Sequence, residues 1–256
     1  MKNNDPTQHS DTDRQWKNIY FLGGIMTLLA LAGILLDVFI GNVTGGDLTA
    51  LPGTAIGRFE QFQSNVFLGL YNLDFLNIVN QIILIPVYIA LFAVHRNTNV
   101  GYAFLALIAF LFGSAIMVAN NTALPMLELS NKYFATSIES QRTLYAAAGE
   151  SMLAQGAHGS PGIFLGFFIP TIANLIFSIV MLHGRVFSKI NSWIGIIGSI
   201  FMLLYIVLIN FISGVENMAT AIAMPGGLLL ITWMILFTLR LFKLGRNVCS
   251  DQQRLQ

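Results

Sequence analysis

The chain has 256 residues, of which 55% are hydrophobic and 10% charged, with a mean hydropathy of +0.69. A soluble globular domain carries about 25% charged residues, so this composition excludes one and predicts a membrane protein. A net charge of +1 gives no sign of a nucleic-acid partner, and the single Cys249 excludes an intrachain disulfide or a thiolate metal cluster.

Residues 1–15 are polar and predict a disordered tail ahead of a membrane domain over 16–245, with a second tail at 246–256. Within that domain six apolar runs, at 18–40, 66–94, 100–119, 162–183, 190–212 and 222–241, each reach the roughly 20 residues needed to cross a bilayer as a helix. The expected fold is therefore all-α, a polytopic bundle of six transmembrane helices. With a cytoplasmic amino terminus, ten of the 13 Lys and Arg fall inside and only Arg58, Lys132 and Arg142 fall outside, which predicts that both ends are cytoplasmic.

After the first run comes a Gly- and Thr-rich outer loop containing Leu51-Pro52-Gly53, read as a turn. The short links 95–99 and 184–189 predict antiparallel hairpins. Between the third and fourth runs, 126–155 has no Pro and no Gly before Gly149. Its spacing of apolar and charged residues predicts one long amphipathic helix outside the membrane, with surface ion pairs among Glu128, Lys132, Glu139, Arg142 and Glu150. This segment reads as a lid over the bundle or as a docking surface for another protein. Pro86, Pro170 and Pro225 lie in the second, fourth and sixth runs and predict kinks there. Packing seams are expected at Gly162-x-x-x-Gly166 and at Ser192, Gly195 and Ser199.

The second run carries Asn72, Asp74, Asn77, Asn80 and Gln81. Placing a carboxylate in a membrane helix costs roughly 2.5 to 3.5 kcal/mol on insertion scales, so such groups face a protein interior or a watery cavity. On a helical wheel Asp74, Asn77 and Gln81 fall within about 60° of one another, with Asn80 at the edge of that face and Asn72 pointing elsewhere. Asp37, Asn174, Asn210 and Glu216 lie at similar depth on other spans, and together with this stripe they are the expected lining of an outward-facing polar cavity. Its ligand would be a small solute, an ion or a lipid headgroup. The competing expectation is that the amides are interhelical glue.

The four histidines do not converge on a metal or haem site, although an outer site of His158 with Asp37, Asp74 or Glu216 would suit a divalent ion. No hydrolase, zinc-protease or phosphate-loop motif is present, so no cofactor or metal is expected, and neither a catalytic group nor an oligomeric state can be assigned. A non-catalytic membrane partner or sensor, and an intramembrane lipid-modifying enzyme, remain alternatives to a binding or transport protein.

The layout of tail, span and outer loop, then Tyr71-Asn72-Leu73-Asp74 in the second span and Glu128-Leu129-Ser130-Asn131-Lys132-Tyr133 in a helical outer segment, resembles a family of bacterial six-span membrane proteins of unknown function. The resemblance covers most of residues 16–245. It implies a bacterial inner membrane as the home of the protein and brings no catalytic residues with it.

Overall fold

The computed structural model describes residues 6–43, 51–157 and 160–253, and among these the regular secondary structure is all helix. The elements are α1 (Pro6–Val43), α2 (Ala55–Ser64), α3 (Val66–Tyr71), α4 (Phe75–His95), α5 (Val100–Asn120), α6 (Ala123–Ala135), α7 (Glu139–Gly156), α8 (Pro161–Gly184), α9 (Lys189–Phe211) and α10 (Glu216–Gln253). Six stretches are long and apolar enough to cross a membrane, within α1, α4, α5, α8, α9 and α10. The protein is thus an all-α polytopic bundle. Each spanning helix packs on the next in chain order and α10 packs back on α1, which closes the six into a ring.

Hydrophobic patterning alone does not hold such a ring together, because lipid tails are as apolar as leucine; close approach at small residues does. A Cβ built on Gly113 of α5 would fall against the Pro170 ring of α8, and one on Gly166 would lie 2.9 Å from Met117 of α5. Gly195 of α9 takes the edge of the Trp233 indole from α10, and Trp233 is only 3% exposed. Both expected seams therefore pack within the chain. The aromatic centre is Tyr88 stacked on Phe110, with ring centroids 3.6 Å apart, and set edge-on to Phe177. At the end away from the long connections, Arg96 lies 5.0 Å over Trp16 and donates to the Tyr20 hydroxyl at 3.0 Å, pinning the end of α4 to α1.

The other end carries a cap of α2, α3, α6 and α7 with its own core of Ala55, Phe59, Phe62, Leu73, Ala123, Met126 and Leu153. Polar links close it. Glu150 of α7 accepts from the Ala55 backbone N–H at the start of α2 (2.7 Å), and the Ser130 hydroxyl of α6 donates to the Phe59 carbonyl of α2 (3.0 Å). The helices start where the residue chemistry predicts: the Thr54 hydroxyl accepts from Gly57 N, and the Asn65 side chain accepts from Leu68 N.

Three boundaries differ from expectation. The single helix read over 126–155 is two, α6 and α7, separated at Thr136-Ser137-Ile138. There the Thr136 hydroxyl accepts from Ile138 N (3.2 Å) and the Thr136 carbonyl accepts from Arg142 Nε (3.0 Å), offering the backbone a turn in place of the helix ladder. The second run, read as one span over 66–94, breaks at Asn72-Leu73-Asp74 into a cap helix and a spanning helix. Helix also extends into both tails, from Pro6 and as far as Gln253. Of the expected ion pairs, Lys132–Glu128 forms at 3.1 Å.

Candidate functional site

Asp74 occupies the joint between cap and bundle. Its backbone is left-handed, with φ 61° and ψ 23°, a conformation that Asp tolerates better than most residues. It serves as the N-cap residue of α4 without a side-chain cap bond. The carboxylate is left to face elsewhere: Asp74 is 8% exposed, and its Oδ1 accepts from Asn77 Nδ2 at 2.8 Å. Arg58 of α2 is also buried, at 6% exposure, and near enough to feel the Asp74 charge. Burial pulls the Arg58 guanidinium below its ordinary range and Asp74 opposes that shift. Its Nε has no hydrogen-bond partner among the described residues, while Nη1 reaches Gln61 Oε1 at 3.5 Å.

Around this pair the joint is laced by side chain to backbone bonds. Asn121 Nδ2 donates to the Leu73 carbonyl (2.7 Å) and its Oδ1 accepts from Ala123 N (2.9 Å), so one amide ties the ends of α5 and α6 to the turn before α4. Asn120 Nδ2 donates to the Gly162 carbonyl at 2.6 Å. The Tyr71 hydroxyl donates to the Asp37 carbonyl at 2.9 Å, bringing α1 into the same joint. Burial first, and then the negative charges of Asp37 and Asp74, push the Tyr71 phenol up to about 12.

One turn further into the bundle from Asn77, the Gln81 side-chain oxygen Oε1 accepts from the Ser114 hydroxyl of α5 at 3.0 Å. The two line a cavity of about 330 Å³ between α4 and α5, together with Ile82, Ile85, Leu111, Ala115, Val118 and Ala119. Ile82 and Val118 are exposed at its rim. The stripe Asp74, Asn77, Gln81 thus runs from the cap joint into a groove on the flank of the bundle.

The other expected lining residues are placed differently. Asn80 is buried with its amide against Gly33 of α1, where a Cβ would collide with it, and its Oδ1 has no hydrogen-bond partner among the described residues. Asn174 accepts from the Tyr88 hydroxyl in the middle of the bundle. Asn210 Nδ2 donates to the Ile206 carbonyl of its own helix (2.8 Å), and Glu216 Oε1 accepts from Gly214 N (3.2 Å) at the start of α10. The hydroxyls of Thr27, Thr171, Ser178, Ser199 and Thr238 donate to carbonyls four residues back, which satisfies them locally and removes them from the list of ligand-seeking groups. Sequence reasoning did not single out Arg58, Tyr88 or Ser114 as members of these arrangements. Arg58 was legible as the one cation between the first two spans, but its partner across the cap was not.

His158 lies outside the described residues. Among the described residues no three His, Cys, Asp or Glu side chains come together as a metal site.

Residues 22–237 match the model of a family described as a domain of unknown function, DUF4386, and the chain belongs to that family. No curated protein and no solved structure matches the chain.

Proposed function

We propose that the protein binds a small polar group, a solute or a lipid headgroup, at the joint between cap and bundle, with Asp74 and Asn77 as the recognising side chains. The observation that carries this reading is the buried, left-handed Asp74 where α4 meets the cap, its carboxylate on Asn77 and within the electrostatic reach of buried Arg58. Backbone strain and buried charge are tolerated together where a ligand makes use of them. Because Arg58 offsets the carboxylate, the joint is near neutral, which disfavours a bare cation and suits a neutral or zwitterionic group with an ammonium or hydroxyl toward Asp74 and a phosphate toward Arg58. In the orientation favoured by ten of 13 cations on the opposite side, the joint faces outward from a bacterial inner membrane, and both termini are cytoplasmic.

Native mass spectrometry on protein extracted from its own membrane tests this. The wild type is expected to carry an adduct of defined mass that falls at least tenfold in Asp74→Asn while that variant keeps its helical signal and a cooperative melting transition. An unchanged adduct with a lowered melting temperature would assign the stripe to interhelical glue instead. A second reading, the docking of a partner protein, is favoured by Ile138 and Leu144 at the start of α7, which are 53% and 66% exposed. Photo-crosslinking from position 144 to one consistent polypeptide would support it.

A further inference from the structure

We infer that the groove between α4 and α5 holds one acyl chain of a phospholipid whose headgroup occupies the Asp74 joint, an inference that rests on the reading above and names its ligand class. The groove lies on helices that cross the membrane, so hydrocarbon is what meets it. Its wall is Ile82, Ile85, Leu111, Ala115, Val118 and Ala119, and of its two polar members Ser114 donates its hydroxyl to the side-chain oxygen of Gln81. A water-filled channel would leave polar groups facing the lumen. This surface asks for a chain without hydrogen bonds.

The length of the groove suits an extended chain. From Ala119 to Leu111 it follows eight residues of α5, about 12 Å at 1.5 Å per residue, and its volume is about 330 Å³. Alanines at 115 and 119, one helical turn apart, provide the width.

Continuity with the joint completes the case. Ala119 is followed directly by Asn120 and Asn121, whose side chains bind the turn before α4 and the start of α8. Gln81 on the opposite wall is the inner member of the stripe that begins at Asp74, about 10 Å away along α4. A lipid with its ammonium at Asp74 and Asn77 would thus lay one chain along this groove.

Two probes separate head from chain: dioleoyl phosphatidylethanolamine counted by native mass spectrometry in detergent, and chain-free glycerophosphoethanolamine titrated calorimetrically. Ala115→Trp fills the groove without touching the joint. It is expected to weaken the lipid at least tenfold and leave glycerophosphoethanolamine unchanged, whereas Asp74→Asn weakens both. Ile82→Trp, at a side chain 53% exposed on the rim, repeats the test should Ala115→Trp lose its helical signal or melting transition. Full lipid binding by folded Ala115→Trp and Ile82→Trp would overturn the chain site while the headgroup reading stood. Loss of lipid in the groove variants with no effect of Asp74→Asn on either probe would keep the chain site and remove the headgroup reading. A bound polypeptide displaced by the groove variants in place of lipid would overturn the inference.

Discussion

Removing the Arg58 charge tests whether the joint is held by charge compensation. In Arg58→Met the side-chain stem is replaced by a similar apolar body, so the change falls mainly on electrostatics. Asp74, 8% exposed, keeps its bond from Asn77 but loses the buried cation that opposes its charge. The attraction between Arg58 and Asp74 is Coulombic and acts at the end of the span rather than at its middle, so at most the lower end of the roughly 3–5 kcal/mol that breaking a contacting buried ion pair costs, about 3 kcal/mol, is expected. The loss is local, since α2 meets the bundle through the cap core of Phe59, Phe62 and Leu73. At 1.4 kcal/mol per decade, amide exchange in α2 and α3 should quicken about 100-fold with the protection of α8 and α9 unchanged. In Arg58→Met/Asp74→Leu neither charge remains, and protection should return to within about tenfold of the wild type. Simple addition of the two single effects in the double variant would refute the charge-compensation argument.

Three other perturbations reach different parts of the fold. Gly113→Ala places a Cβ against the Pro170 ring, within 2.7 Å of its Cγ and 3.0 Å from Ile169 Cβ; because a proline ring cannot swing away, α5 and α8 must separate, at about 1–3 kcal/mol, and an unchanged melting temperature in detergent would contradict this. Glu150→Ala leaves the Ala55 N–H buried without its carboxylate, so exchange in the first turn of α2 should rise by the equivalent of about 1–3 kcal/mol, whereas protection equal to the wild type would show that another acceptor takes over. The Tyr71 phenol holds its proton up to about 12; a free tyrosine titrates near 10, so the stability contributed by the neutral, partly buried phenol is present below about pH 10 and declines as pH rises toward 12. The ultraviolet difference titration of wild type minus Tyr71→Phe should have its midpoint near 12, and one near 10 would refute the burial argument.

The six spans were legible because a bilayer imposes length and apolarity on each helix independently of its neighbours. The breaks were harder to read, and for a local reason. Asn72-Leu73-Asp74 and Thr136-Ser137-Ile138 contain neither Gly nor Pro, so nothing in composition marks them. At Thr136 a short polar side chain competes with the helix ladder, whereas at Asp74 the backbone turns left-handed and Asn121 of α5 takes the Leu73 carbonyl, so what packs on either side decides each break. In the candidate site the stripe of Asp74, Asn77 and Gln81 followed from helical periodicity alone. The sorting of Asn174 to Tyr88, of Asn80 to Gly33 and of Asn210 to its own backbone did not, since each depends on which helix stands opposite.

By itself, then, the chain specifies an all-α membrane bundle of six spans and a polar stripe on one of them, because hydropathy and helical period are properties of single segments. Only the tertiary structure decides that the spans close into a ring, that Arg58 is carried by a cap helix to the neighbourhood of Asp74, and that Ala115 and Ala119 open a groove beside Gln81. Those outcomes join residues far apart in sequence, and their free energy lies in close packing and buried charge, which exist only once the helices have met.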